Sequence, residues 1–340
     1  MSDTPHAAPE PEAPLLLREG PFVLPSVIGL TYFIASLASG GFMDRTTDSV
    51  APLLEELAAR VIEDPSSFLV HLIALGSFRL VPPLAGAVLL LYLSTQRRPL
   101  LPALKAHPTP WNLWDFFKIW ASSLCLLPIA QLVMQITPSI WDRFPKPTTF
   151  GLLASGQNVV TILLCACVVR LRGRQTPLSA RNSGRTARKS LAYGVRGFLI
   201  AAPFVFGAEW VSGKVFDLID LERVYHPALS YLLEIPPSQI WILLAAAVVF
   251  APLGEELLFR GFLYPSLERR IGRAGGMIVT GFLFAALHLN PFDFLPLFVL
   301  GIVLSYTYSR TRLVSACVVL HATHNAISAG AALTIRFMLR

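Results

Sequence analysis

The ionisable residues of this chain are bunched, and between the bunches lie apolar runs long enough to cross a bilayer, which limits its fold more than any other feature. A hydrocarbon core of about 30 Å needs roughly 20 helical residues at about 1.5 Å each. Lipid offers no water to backbone N–H and C=O groups, so runs of this length must satisfy them internally as helices. Such runs can be read at about 21–43, 67–94, 112–137, 150–170, 191–212, 239–267, 276–290, 294–309 and 313–335. The expected fold is an all-α polytopic membrane protein of about eight to nine transmembrane helices, with a polar cavity among the last four. Two runs, 276–290 and 294–309, are short enough to be tilted or partly re-entrant. The composition agrees, at 54% hydrophobic and 14% charged, where a soluble domain has about 25% charged residues. No stretch has the mixed polar surface that a separate soluble domain would need.

Residues 1–20 hold four prolines and several acids with no basic stretch leading into a cleavage site, so they read as a disordered tail and not a signal peptide. Residues 21–212 form an N-terminal transmembrane part. Within it, 49–63 carries Leu53, Leu54, Leu57 and Val61 at helical spacing among Glu55, Glu56 and Arg60, the pattern of an amphipathic helix at the interface. Residues 213–340 form a second part, where the chemistry-bearing groups gather. The four cysteines lie inside apolar runs, where thiols pack as small apolar groups, and no disulfide is expected.

A net charge of +7 would suit nucleic acid, but the basic residues flank spans instead of lining a groove, so no nucleic-acid partner is expected. They orient the chain. The densest stretch holds Arg170, Arg172, Arg174, Arg181, Arg185, Arg188 and Lys189, and the positive-inside rule places it in the cytoplasm. Alternation of nine spans puts Arg97, Arg98 and Lys105, then Arg269, Arg270 and Arg273, then Arg310 and Arg312 on that side, with the N-terminus. The expectation is a multi-pass protein of the cell (inner) membrane.

Against a background of Leu, Val, Ala, Ile and Phe, an ionisable residue at membrane depth costs about 2.5–3.5 kcal/mol on insertion scales unless paired or hydrated. Three late segments collect such residues: Gly254-Glu255-Glu256-Leu257-Leu258-Phe259-Arg260, Phe284-Ala285-Ala286-Leu287-His288 and His321-Ala322-Thr323-His324-Asn325. Glu256 and Arg260 are i and i+4, ordered for an ion pair, while Glu255 points about 100° away and needs another partner. Arg79, beside Gly76 and Pro82-Pro83, reads as a polar residue at a broken helix, and Glu209 as an interfacial group. Counted along helices from the basic turns, Glu255 and His288 lie about 22 Å deep, His321 about 13 Å and Asn325 about 20 Å. Three helices thus bring polar groups to one level, expected to line a cavity open to the cytoplasm.

A carboxylate and a histidine can hold and deprotonate water, and a second histidine with an amide can stabilise an oxyanion. The same residues admit another reading, in which Glu255, His288 and His321 are a ligand set for a divalent metal such as zinc. A proton or solute pathway would also use Glu and His at depth, but the inverted repeat expected of a transporter is not found.

Glu-Glu-x-x-x-Arg at 255–260, Phe-x-x-x-His at 284–288 and His-x-x-x-Asn at 321–325, in this order on successive hydrophobic helices, resemble the CPBP family of intramembrane proteases, which includes the CAAX prenyl endopeptidase Rce1. The resemblance covers about residues 239–335 and makes 213–340 the catalytic core. It implies an endopeptidase in which Glu255 and His288 activate water, His321 and Asn325 stabilise the oxyanion, and Glu256 with Arg260 holds the helix. It leaves the metal open, and implies a membrane-anchored protein or peptide as substrate, prenylated or C-terminally sorted. A non-catalytic scaffold or immunity protein of the same fold is the remaining alternative. The motifs of competing intramembrane proteases, HExxH, GxGD and Gly-x-Ser-Gly, are absent.

Overall fold

The structure is a computed structural model that describes residues 22, 24–31, 65–103, 110–171, 184–221, 223 and 226–338. The tail at 1–20 and the amphipathic segment at 49–63 lie outside the described residues. Among those described, all regular structure is helical. In chain order the helices are α1 (24–31), α2 (Pro65–Thr95), α3 (Leu113–Ser123), α4 (Leu126–Ile136), α5 (Pro138–Trp141), α6 (Lys146–Leu171), α7 (Gly184–Leu218) and α8 (Pro227–Glu234). From Ile240 the chain then stays helical to Ala286.

That last run is not one rod. Gly272, with φ 75° and ψ 177°, takes a conformation closed to other residues. An ideal Cβ on Gly276 would lie 3.1 Å from the Glu268 amide nitrogen and 3.3 Å from the Tyr264 ring. In a straight helix residues 264 and 276 would be about 18 Å apart, so the chain doubles back at Gly272. The two arms, α9 (240–271) and α10 (273–286), correspond to the apolar runs read at 239–267 and 276–290. Two more helices follow, α11 (Phe294–Thr311) and α12 (Val314–Met338). Seven stretches of the described residues are long and apolar enough to cross a membrane, the longest being the doubled-back Pro237–Ala286.

Helix lengths position the site. α7 has 35 residues and α12 has 25, whereas α10 is about 21 Å long and stops short of a full hydrocarbon core. The turn at 287–293 therefore comes beside the middle of α9, where His288 meets Glu255. α10 and α11 touch at glycines, an ideal Cβ on Gly301 falling 2.8 Å from the Gly281 Cα, the small-residue contact typical of membrane helices. The main core joins α9, α10, α11, α12 and α7 through Phe259, Phe262, Phe284, Leu300, Leu320 and Phe198. Every residue from Glu256 to Leu267 on α9 is buried, so the half of the bundle beside the basic turns is packed solid.

α2 corrects one expectation. It runs unbroken through Pro82 and Pro83, and Arg79 is explained by Glu209 on α7, 2.5 Å away. Glu209 is accordingly an ion-pair partner inside the span Thr186–Leu218 and not an interfacial group.

Candidate active site

α9 is irregular where its carboxylates lie. Ala245–Phe250 and Leu257–Leu263 are π-helical and flank α-helical Ala251–Glu256, and such wide turns concentrate at functional sites. Pro252 gives the first its cause: a proline ring clashes with the carbonyl four residues back and offers no N–H. The Ala251 N–H consequently bonds to Ala246 O, five residues back. In that register Ala247 O would need the N–H of residue 252, which does not exist. Asn325 supplies the missing donor, its Nδ2 lying 2.7 Å from Ala247 O. One hydrogen of the amide is thereby committed to the backbone of α9.

Glu256 and Arg260 are both fully buried, with Arg260 Nη1 donating to Glu256 Oε1 at 2.9 Å. Arg260 Nη2 donates to Gly301 O at 2.9 Å, a reach opened by the glycine contact of α10 with α11, and its guanidinium stacks 4.9 Å from the Phe284 ring centroid. His321 closes the group from α12, its Nδ1 lying 2.9 Å from the same Glu256 oxygen. A carboxylate there can only accept, so Nδ1 carries the proton and a neutral His321 presents a lone pair at Nε2. To donate toward an oxyanion it must be the imidazolium.

Glu255 faces elsewhere, as its 100° offset requires. Its Oε2 lies 4.0 Å from His288 Nε2, both side chains about a quarter exposed, and that oxygen has no hydrogen-bond donor among the described residues. His288 Nδ1 is 2.6 Å from Phe284 O; a carbonyl only accepts, so the proton is on Nδ1 and Nε2 is an acceptor. Two acceptors thus face one another across a gap suited to a shared water.

Residues that sequence reasoning did not single out complete the surroundings. His226 lies with its ring centroid 6.2 Å from that of His288. Asn290, in the turn after α10, accepts from the N–H groups of Phe292 and Asp293 and donates to Asp293 Oδ2 at 2.8 Å. The Asp293 carboxylate accepts the His226 backbone N–H, yet burial, with Glu209 adding, pushes its pKa up to about 7. Burial, with His288 adding, pushes His226 down to about 4. The available signals were local: an Asn-x-x-Asp turn, and a His-Pro pair at a helix start.

The site lies beside the 287–293 turn and His226, while the buried stretch 256–267 separates it from the basic turns. His321 Nδ1 is engaged by Glu256 and not by Glu255, and among the described residues no group of three or more His, Cys, Asp or Glu side chains is disposed to hold a metal ion.

Comparison with known families addresses the same stretch. Residues 237–327 match the family model described as type II CAAX prenyl endopeptidase Rce1-like. These residues form an Rce1-like domain. It begins just before α9 and ends two residues beyond Asn325, so it takes in Glu255, Glu256, Arg260, His288, His321 and Asn325 and leaves out α1–α8, His226 included. The Rce1-like domain supports a peptidase of the CAAX type embedded in a membrane and acting on a protein substrate. No curated protein and no solved structure matches the chain.

Proposed function

We propose that the protein is an intramembrane endopeptidase that hydrolyses a peptide bond of a membrane-associated protein with a water held between Glu255 and His288. The observation that supports this most directly is the pair of acceptors, Glu255 Oε2 and His288 Nε2, 4.0 Å apart in a half-buried wall. A water donating one hydrogen to each directs its lone pairs away from both, toward a third group. Attack on the peptide carbonyl passes the water's proton to this pair. The same proton then goes to the leaving amine as the C–N bond breaks.

Oxyanion stabilisation falls to His321 and to the second amide hydrogen of Asn325. Arg260 acts through Glu256 and positions it. The end of the bundle with the basic turns at Arg97–Arg98, Arg270–Arg273 and Arg310–Arg312 is read as the cytoplasmic one, by the positive-inside rule. The substrate is a lipid-anchored or C-terminally sorted protein, whose anchor presents the peptide to the site.

Quantitative terminal proteomics of membranes carrying the wild type or Glu255→Gln tests the reading. Substrate termini should disappear in the variant while their uncut precursors accumulate. An unchanged set of termini would overturn it.

A further inference from the structure

The 219–236 connection lies outside the Rce1-like match, yet it delivers a histidine to the site. His226 precedes α8 as its N-cap, accepting the Ala228 N–H at Nδ1 over 3.2 Å. A ring nitrogen that accepts carries no proton, so in the neutral ring the proton is on Nε2. The backbone is held separately, its N–H donated to the Asp293 carboxylate, which Asn290 grips in turn at 2.8 Å. Asp293 and Asn290 belong to the turn that closes the Phe284–His288 motif. The same turn thus fixes both histidines, whose rings sit 6.2 Å apart at 59°.

From this geometry we infer that His226 contacts the substrate, donating its Nε2–H to a backbone carbonyl of the peptide flanking the bond to be cut. The inference rests on the endopeptidase reading. His288 presents an acceptor to the site, while His226 presents a donor from a rigid mount beside it, so a peptide running along the edges of the two rings finds both kinds of partner. A backbone carbonyl is the group common to every peptide substrate that such a donor suits. His226 stays neutral above about pH 4, so it remains a donor of fixed tautomer across the working range and takes no part in proton transfer.

A plain N-cap role makes different demands from a substrate contact. Asparagine is a strong N-cap but too short to place a donor where Nε2 lies; glutamine reaches about as far as histidine but caps poorly. His226→Asn and His226→Gln, with Glu255→Gln as reference, are compared in the full-length protein in membranes. The readouts are the cut-to-uncut ratio of the Glu255-dependent termini and the thermal midpoint of the purified variants in detergent. His226→Asn should keep the wild-type midpoint and lose at least about tenfold in cleavage. His226→Gln should have a lower midpoint and cleave better per folded molecule than His226→Asn. Wild-type cleavage by His226→Asn, or glutamine no better than asparagine, would overturn the inference and leave the endopeptidase reading intact. If no terminus depends on Glu255, the endopeptidase reading falls first.

Discussion

Asn325 offers the sharpest test of how the site is built, because two jobs for it lead to different arithmetic. Its amide satisfies Ala247 O, a carbonyl orphaned by Pro252 in the π-helical register. Asn325→Ala leaves that carbonyl without a donor, at about 1–3 kcal/mol for an unsatisfied buried group. Interhelical hydrogen bonds in membranes measure nearer 0.6 and at most about 1.7, so a loss of about 1–1.5 kcal/mol is expected. Pro252→Ala restores an N–H at the position that Ala247 O lacks and relieves the ring clash. In that background Asn325→Ala should then cost only a few tenths. The double-mutant cycle, run by reversible denaturation in bicelles, should show a coupling of about 1 kcal/mol. Strict additivity would refute the account of the wide turn. Activity separates the second job: if Asn325 also donates to the oxyanion, the double variant recovers stability but stays roughly 10²–10³-fold slow. If it serves only the carbonyl, cleavage returns with the fold.

Glu255→Gln should abolish cleavage with little change in thermal midpoint, since it removes a base of nearly unchanged volume, whereas Glu256→Gln should cost about 3–5 kcal/mol by leaving Arg260 buried and unpaired; equal destabilisation in both would contradict their separation. A reporter fused at Arg98 should be cytoplasmic and one at Asp220 on the opposite side, and the reverse pattern would refute that orientation. Purified active protein should show no stoichiometric zinc by elemental analysis and no sensitivity to chelators; one zinc lost together with activity would overturn the metal-free mechanism. For pH, the raised Asp293 binds protons in the fold up to about pH 7, so its contribution falls as pH rises toward 7. The lowered His226 binds fewer than the unfolded chain between about pH 4 and 6.5, so its contribution rises there. Asp293→Asn should therefore leave stability climbing between pH 4 and 6.5 in a detergent melting series, and a flat or falling curve would refute this assignment.

The fold class follows from the sequence because membrane crossing is a local property. An apolar run of about 20 residues must satisfy its backbone internally, whatever its neighbours do. The hairpin of α9 and α10 was legible for the same reason: the basic cluster around Arg270 and Arg273 interrupts the apolar run, and Gly272 is the residue that can turn there. Local spacing also put Glu256 and Arg260 on one face and turned Glu255 away, since 3.6 residues per turn allows no other arrangement. It could not say that His321 would close on Glu256 while His288 faced Glu255, because partners on different helices are chosen by how the helices pack. Nor could it show that residues 256–267 fill the half of the bundle beside the basic turns. The sequence shows how far a residue lies along its own helix, but the direction in which a cavity opens depends on where the other helices leave room. His226 and Asp293 sit 67 residues apart and Arg79 and Glu209 sit 130 apart. Only the tertiary structure could pair them, because bonds of that range depend on helix crossings and leave no periodicity in the chain.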